Sequence, residues 1–326
     1  MIILAGDIGG TTSRFQWLDT ESPHRFQQVM RYVSAGFPSF EALLKQLLAD
    51  SGVEQVDVAC FGLPGPVNGA EVSLTNLPWR ISACGLQTAL PIARVQLLND
   101  FQAAALGIDL VESEDIVCLY PGEYDAKGNR LVIGAGTGLG VAPVYQLEGR
   151  FYPQPSEGGH MAFAPINDEQ ERLLLWLHRN FGYVAYENLL SGEGLIRLYQ
   201  FCADQAGKTL TEKITAAAVT ERAEQGESLA LCALSMFVTI YGQFIGDIAL
   251  IWPAQAGIYI AGGIGAKIVP WMRSRSFRDA FLAKDKMCGV VEKMPVYLVL
   301  DDLIGLKGAF QLAQRTGRDF NKRDLP

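Results

Sequence analysis

The sequence predicts an α/β fold arranged in two lobes, and three observations favour it. The chain has 326 residues, 49% of them hydrophobic, whereas a single hydrophobic core stops growing at about 250–300 residues. Short apolar runs alternate along the chain with stretches of helical periodicity, as is typical of α/β domains. An apolar strand, a turn of glycine and threonine, and a second apolar strand occur at residues 2–18 and again at 130–145. This repeat indicates two related lobes.

The first hairpin joins predicted strands at residues 2–5 and 13–18. Its turn consists of Gly6, Asp7, Ile8, Gly9, Gly10 and Thr11, followed by Thr12. We expect the glycines to supply positive φ angles and to let backbone N–H groups and threonine hydroxyls face a phosphate. Asp7 is an anion among anion-binding groups, which indicates a divalent cation between it and the phosphates.

Asp100 is the candidate catalytic base. It lies between a predicted strand at residues 95–98 and a predicted helix at 101–106, and functional groups gather at the carboxyl ends of strands in open α/β sheets. Phosphoryl transfer to an alcohol needs a carboxylate that accepts the hydroxyl proton. The alternative is that Asp100 only caps the alanine-rich helix, and both roles could hold at once.

The second hairpin carries another glycine-rich turn, which contains Gly136, Thr137 and Gly138. The dinucleotide fingerprint would need a glycine where Leu139 stands and a helix where a strand follows, so a Rossmann site is excluded. No Walker sequence with its lysine is present. We therefore expect a phosphate-binding turn of another kind, and a third turn at Gly262 and Gly263 follows a predicted strand at residues 258–261.

The rest of the hydrophobic pattern predicts the other helices and strands of the two lobes. Helices are predicted at residues 40–49, 169–180, 195–206, 214–225, 229–252 and 306–316, with one starting at 269–275, and further strands at 56–62 and 296–300. The apolar segment 229–252 contains Gln243 and Asp247, which favours a buried helix over a membrane span. We place the small domain at residues 1–110 plus 301–326 and the large domain at 111–300. The second hairpin and the third turn should face the first hairpin across a cleft.

The segment 156–160 presents Glu157 and His160 together on a loop with two glycines between them. A carboxylate and an imidazole suit sugar hydroxyls, each of which both donates and accepts hydrogen bonds. A metal site is a poor alternative because no third ligand is near in sequence, and a plain turn with a surface glutamate and a structural histidine stays open. Glu187 is informative only together with these residues, and His24 and His178 are expected to be structural.

The composition argues against several classes of protein, among them nucleic-acid-binding and disulfide-rich proteins. The net charge is −8 without a dense Lys/Arg run, which argues against nucleic acid as a partner. Six cysteines are scattered singly, so neither a zinc site nor a disulfide framework is indicated, and several should be buried thiols in a reducing compartment. The chain starts directly with a predicted strand, so no secretory signal is expected.

Six motifs in this order closely resemble the ATP-dependent, non-ROK bacterial glucokinases of the hexokinase–actin–Hsp70 superfamily. They start at Gly6, Leu98, Gly134, Glu157, Leu190 and Ala261. The resemblance spans nearly the whole chain and implies a two-lobed actin-like ATPase fold, related to ribonuclease H, with a central interlobe cleft that closes on glucose. It implies transfer of the γ-phosphoryl group of ATP to the 6-hydroxyl of D-glucose with Mg²⁺, in a cytoplasmic homodimer without membrane or nucleic-acid partners. One departure is Glu193, where some relatives carry proline.

The resemblance also implies residue roles. Asp100 would take the proton from the sugar hydroxyl, and the hexose ligands would be Asn99, Asp100, Glu157, His160 and Glu187. Residues 6–11 would hold the phosphates with Asp7 near Mg²⁺, Thr137 and its neighbours would face the phosphates from the other lobe, and Gly262 and Gly263 would lie near the adenosine.

Three alternative functions remain open from the sequence. A kinase of the same architecture could phosphorylate mannose, fructose, an N-acetylated hexosamine or a carboxylic acid, because hexose selectivity depends on small differences in cavity shape. A sugar-responsive regulator would need a DNA-binding segment ahead of the first strand, for which we expect no room. An ATPase chaperone would need a separate peptide-binding domain after the nucleotide lobes.

Overall fold

The computed structural model describes residues 1–22, 28–65, 67, 71–74 and 77–323. His24 and Pro66 lie outside the described residues, so the expectation that His24 is structural is not addressed by them. The chain divides into two compact units. Unit 1 comprises Met1–Glu112, Tyr152–Pro155 and Asp301–Pro326, and unit 2 comprises Ser113–Phe151 and Ser156–Leu300.

Unit 1 is built on a five-stranded sheet in the order β3-β2-β1-β4-β7. Its strands are β1 (Ile2–Ile8), β2 (Thr12–Asp19), β3 (Met30–Val33), β4 (Val58–Leu63) and β7 (Val95–Asn99), with a separate small pair formed by β5 (Glu71–Ser73) and β6 (Arg80–Ser82). Its helices are α1 (Phe40–Ser51), α2 (Ala83–Ala89), α3 (Asp100–Gly107) and α12 (Ile304–Arg323). Strands β1, β4 and β7 are parallel, so their carboxyl ends lie at one edge of the sheet.

The helix α12 covers one face of this sheet. Leu306, Ala309 and Ala313 pack with Ile3 and Val58 in one buried cluster. Gly308 lets α12 approach α3 closely, because a Cβ there would collide with the carbonyl of Ala103. A small residue at this position therefore allows α12 and α3 to pack closely.

The first hairpin is confirmed, but its turn is shorter than predicted. Strand β1 runs through Gly6 and Asp7 to Ile8 and pairs antiparallel with β2, so only residues 9–11 form the turn. The expected positive φ is wrong for Gly6 and Gly9. Both positions instead require space: a Cβ would lie 2.7 Å from the Phe61 ring at Gly6 and 2.7 Å from the Thr12 carbonyl oxygen at Gly9.

Unit 2 is built on a six-stranded sheet in the order β11-β10-β9-β12-β13-β8. Its strands are β8 (Ile116–Tyr120), β9 (Arg130–Ala135), β10 (Leu139–Leu147), β12 (Ile258–Ile260), β13 (Val296–Val299) and the edge strand β11 (Arg150–Pro153), whose last two residues are counted with unit 1. Its helices are α4 (Asp168–Leu177), α5 (Gly192–Gln205), α6 (Ala216–Glu224), α7 (Ser228–Ile251), α8 (Gly263–Lys267), α9 (Val269–Met272), α10 (Arg275–Leu282) and α11 (Cys288–Val291). Strands β9 and β10 form the predicted second hairpin, and β12 is parallel to β9.

The long helix α7 forms the centre of the unit 2 core. Within the described residues it is the one helix long and apolar enough to cross a membrane, but 78% of its most apolar window is buried inside the protein. Two of its polar side chains make contacts inside the protein: Gln243 Nε2 donates to the carbonyl of Ala164 at 2.6 Å, and Asp247 pairs with Lys284 at 2.8 Å. The prediction of a buried helix is confirmed.

Candidate active site

The carboxyl end of β7 carries the predicted pair Asn99 and Asp100 in unit 1. The Asn99 Oδ1 accepts hydrogen bonds from the backbone N–H groups of Phe101 at 2.9 Å and Gln102 at 3.4 Å, and Gln102 Oε1 accepts from the Asn99 N–H at 3.2 Å. This is a capping box. The alternative role given to Asp100 is therefore wrong, since Asn99 caps α3 and Asp100 is its first residue.

The Asp100 carboxylate is fixed at the start of α3. Its Oδ1 accepts a hydrogen bond from the backbone N–H of Phe101 at 2.9 Å, and the residue is half-buried. The partial positive charge at the first turn of a helix stabilises a carboxylate in its ionised form. A carboxylate held at the carboxyl end of a parallel strand is suited to accept a proton from a bound hydroxyl.

Asp7 lies next to the start of α12. Its Oδ2 is 3.9 Å from Nη1 of Arg14, which in turn pairs with Asp302 at 3.0 Å. A Cβ on Gly305 would come within 3.2 Å of the Asp7 carboxyl carbon, so this glycine leaves room for the carboxylate. Burial raises the pKa of Asp7 above its usual value, while the nearby Arg14 acts in the opposite direction.

The described residues fit a magnesium ion carried by phosphates rather than one held in a protein cage. No group of three or more His, Cys, Asp or Glu residues that could hold a metal is found in the described part of the chain. Mg²⁺ is commonly held by only one or two carboxylates together with substrate phosphates. The half-buried carboxylate of Asp7, whose side chain is 25% exposed, fits such a ligand.

The β9–β10 turn brings Gly136, Thr137 and Gly138 to one end of the unit 2 sheet. The Gly136 N–H donates to the Gly138 carbonyl at 2.8 Å, and the Gly136 carbonyl accepts from the N–H of Gly192 at 2.9 Å. The Thr137 side chain is exposed. The turn is thus held from both sides while Thr137 remains accessible to a ligand.

Glu187 is bonded directly to this turn. Its Oε2 accepts a hydrogen bond from the backbone N–H of Leu139 at 2.8 Å. A Cβ on Gly138 would lie only 2.5 Å from that oxygen. Gly138 is therefore needed to let the Glu187 carboxylate approach the backbone of the turn. This steric requirement is a reason for glycine in addition to the phosphate binding that the sequence predicts here.

His160 lies between two carboxylates. Its Nε2 is 3.7 Å from Glu187 Oε1, and its Nδ1 is 3.9 Å from Glu157 Oε2. The loop is pressed onto the start of β10, because a Cβ on Gly159 would collide with the Leu139 carbonyl. The structure thus brings the side chains of Glu157, His160 and Glu187 together.

The third glycine turn lies beside the second. The Ala261 N–H donates to the Ile133 carbonyl at 2.8 Å, which continues the pairing of β12 with β9. Gly262 has a φ of +109°, and a Cβ there would lie 2.8 Å from the Ala135 carbonyl oxygen. Gly262 and Gly263 therefore lie next to the start of the β9–β10 turn within unit 2.

Sequence reasoning missed two supporting residues. The Ser191 hydroxyl donates to the Glu187 carbonyl at 2.8 Å and accepts from the Gly194 N–H at 3.1 Å, which caps α5. The Tyr183 hydroxyl donates to the His160 carbonyl at 2.8 Å. The serine just before a helical pattern was a usable N-cap signal, whereas nothing local marked Tyr183.

Comparison with known proteins identifies the family. The glucokinase family model matches residues 4–316. The chain belongs to the glucokinase family. Family membership makes it an ATP-dependent sugar kinase and confirms the resemblance noted in the motifs.

Individual relatives agree with this assignment. A glucokinase of Chromohalobacter salexigens is 36% identical over 306 residues, which covers 94% of this chain and 95% of that protein. The crystal structure of glucokinase from an Antarctic psychrotroph is 30% identical, covers 96% of this chain and 99% of its own, and has a TM-score of 0.82. That of Balamuthia mandrillaris glucokinase in complex with glucose has the same TM-score at 21% identity, covering 96% and 93% of the two chains. These glucokinase neighbours confirm the predicted actin-like α/β fold class.

The structure explains why glutamate is acceptable at position 193, where some relatives carry proline. Glu193 is the second residue of α5, after the cap residue Ser191 and the first helical residue Gly192. Proline is tolerated in a first helical turn, and an acidic side chain there is stabilised by the helix dipole. Either residue is therefore compatible with this glucokinase helix.

Proposed function

We propose that this protein transfers the γ-phosphoryl group of ATP to the 6-hydroxyl of D-glucose, giving ADP and glucose 6-phosphate. The observation that carries the proposal is the bond between Glu187 and the β9–β10 turn in unit 2. The Glu187 carboxylate, which is suited to bind sugar hydroxyls, accepts a hydrogen bond from the backbone N–H of Leu139. Leu139 directly follows the glycine turn that is suited to bind phosphate. Adjacent sugar and phosphate groups are what a transfer between two bound substrates requires.

Glu157, His160 and Glu187 are the proposed hexose ligands of unit 2. The carboxylates can accept from sugar hydroxyls, and the imidazole can donate or accept. The side chains of His160 and Glu157 are 60% and 58% exposed, so both are accessible to a sugar. Asn99 and Asp100 are the proposed hexose ligands of unit 1.

Asp100 is the proposed catalytic base. The Phe101 N–H holds its carboxylate at the start of α3. As the bond between the sugar oxygen and phosphorus forms, the carboxylate accepts the proton of the 6-hydroxyl. A fixed base contributes by correct orientation as well as by proton transfer.

The glycine turns are the proposed nucleotide ligands. Residues 6–11 and the turn of Gly136, Thr137 and Gly138 would bind phosphate oxygens, and Gly262 with Gly263 would lie near the adenosine. Backbone amides aimed at phosphate oxygens stabilise charge that develops during transfer. Mg²⁺ bound to the triphosphate would neutralise further charge, and Asp7 is the residue proposed to hold it, directly or through water.

We further propose a homodimer that works in the cytoplasm, as the resemblance to bacterial glucokinases implies. Six free thiols fit a reducing compartment. Light scattering coupled to gel filtration measures the oligomeric state, and a monomer at micromolar concentration would overturn that part of the proposal.

A coupled assay of the purified protein tests the function. ATP, Mg²⁺ and a panel of glucose, mannose, fructose and N-acetylglucosamine should give the highest kcat/KM for glucose, and equal or higher values for another sugar would contradict the proposal.

Glu157→Gln should raise the glucose KM by about tenfold, the effect of losing one charged hydrogen bond. Glu224→Gln, on an exposed face of α6, is the matched control. An unchanged KM in Glu157→Gln would remove Glu157 from the sugar site.

A further inference from the structure

Two cysteine side chains of unit 2 lie against each other. Cys202 is near the end of α5 and Cys232 is near the start of α7. Their Sγ atoms are 2.6 Å apart and both thiols are free, whereas a disulfide bond is about 2.05 Å long. We propose that Cys202 and Cys232 form a redox-active dithiol, which hydrogen peroxide or an organic hydroperoxide oxidises to a disulfide.

The two thiols differ in access. Cys202 is 4% exposed and packs against Met236, whose Sδ is 3.8 Å from Cys202 Sγ. Cys232 is partly exposed on the other side of the pair. A small oxidant therefore reaches Cys232 first, while Cys202 stands behind it as the resolving thiol.

The contact also prepares Cys232 as the nucleophile. The Cys202 thiol donates a hydrogen bond to the Cys232 sulfur, and this bond lowers the pKa of Cys232, while burial and the charge of Glu169 act in the opposite direction. The same hydrogen bond, together with burial, raises the pKa of Cys202. Since the thiolate is the form that attacks peroxides, the exposed member of the pair is the more reactive one.

The reaction balances in two steps. The Cys232 thiolate attacks one peroxide oxygen, the O–O bond breaks, and the sulfur becomes a sulfenic acid while hydroxide leaves and takes up a proton to give water. Cys202 then attacks the sulfenic sulfur as its proton passes to the leaving hydroxyl group, so that an S–S bond forms, the S–O bond breaks and a second water leaves. Two electrons pass from the thiols to the peroxide, and a dithiol reductant reverses the change.

The surroundings favour a dithiol over a metal site. Within the part of the chain that the structure describes, no group of three potential metal ligands is found, and a stable Zn²⁺ site needs three or four. The other free cysteines are Cys60, Cys84, Cys118 and Cys288, and the partner of the Cys60 sulfur is Gln96 Oε1, at 3.7 Å, rather than a thiol. The pair is therefore distinguished by geometry from single thiols of the same chain.

A disulfide here would stabilise unit 2. It would join α5 to α7 and close a loop that contains α6. Closing a loop of about 30 residues lowers the entropy of the unfolded chain and raises stability. The oxidised protein should therefore unfold at a temperature several degrees higher than the reduced protein.

Peptide mapping of the full-length chain tests the proposal without relying on its kinase activity. Reduced protein is treated with hydrogen peroxide, blocked with N-ethylmaleimide, digested without reductant and analysed by mass spectrometry. We expect one cross-linked peptide pair joining Cys202 to Cys232, lost after dithiothreitol. The matched control Cys288→Ser should still form it, whereas Cys202→Ser and Cys232→Ser should not.

Two results would overturn the proposal. One is full maleimide labelling of both cysteines after peroxide treatment under conditions that oxidise Cys84. The other is accumulation of sulfinic acid on Cys232 with Cys202 still a thiol. Because the unsubstituted chain gives both readouts, neither depends on how well a variant folds.

Discussion

The Glu187 carboxylate has a different partner at each oxygen: Oε2 accepts from the Leu139 N–H at 2.8 Å, and Oε1 lies 3.7 Å from His160 Nε2. One glutamate thus connects the glycine turn of β9–β10 to the loop of Glu157 and His160. A displacement of the turn must move the glutamate, and with it the contact to the histidine.

Gly138→Ala tests this connection. The added methyl would lie 2.5 Å from Glu187 Oε2, so we expect the carboxylate to move by an ångström or more and kcat/KM for glucose to fall by about 10²-fold. Steady-state kinetics measures the loss. Gly182→Ala is the matched control, because no atom lies near its Cβ and its φ is not positive. Full activity in Gly138→Ala would show that the contact does not matter for catalysis.

Asp100→Asn tests the base. The amide keeps the shape of the side chain but cannot accept the hydroxyl proton, so kcat should fall by about 10²–10⁴ while glucose still binds. Calorimetric titration with glucose and the coupled assay separate the two effects. The exposed Asp109, changed to asparagine, serves as control in the same unit. If Asp100→Asn kept a near-normal kcat, another group would have to be the base.

Lys284→Met should lower stability. Lys284 is only 5% exposed, its Nζ is 2.8 Å from Asp247 Oδ1, and it donates to the Gln243 carbonyl at 3.1 Å. Asp247 is one-third exposed, so water compensates part of the lost pairing, and we expect a decrease of about 1–3 kcal/mol in the free energy of unfolding. Urea denaturation measures it. Lys284→Met combined with Asp247→Asn should recover part of the loss, and a double variant less stable than the sum of the single changes would contradict the pairing.

Cys60 should resist alkylation in the folded protein. The Cys60 side chain is buried, and burial raises the pKa of its thiol to about 12, so at pH 8 the thiolate that reacts is rare. Cys84 is exposed and should react with iodoacetamide at the rate of a free thiol. Mass spectrometry after timed labelling compares the two, and denaturant should make their rates equal. Comparable rates in the folded state would mean that Cys60 is accessible.

The strongly patterned elements could be predicted from the sequence. The helix predicted at residues 40–49 is α1 (Phe40–Ser51), since Ser39 caps it and Gly52, with a φ of +66°, ends it. Short edge strands such as β5 and β11 were not predicted, because three or four residues carry no readable period. The helix predicted to start at residues 269–275 is two helices, since Ser274 caps a new one.

The candidate site was predictable in its residue types but not in its contacts. Asp100 was identified from its place after a strand, yet its neighbour Asn99 proved to be the cap because a capping box with Gln102 fixes it there. Gly138 and Glu187 are distant in sequence, and no local pattern could indicate that the glycine is required by the glutamate. Close approaches of this kind depend on tertiary packing alone.

The position of α12 has a consequence for how the chain folds during its synthesis. The residues of α12 that cover Ile3 and Val58 are translated after the whole of the segment 113–300. Until they leave the ribosome, the apolar face formed by the earliest strands has no cover and is open to chaperones and to aggregation. The residues of unit 2 have been synthesised before α12 is. We therefore expect unit 2 to reach its native structure first and unit 1 to be completed last.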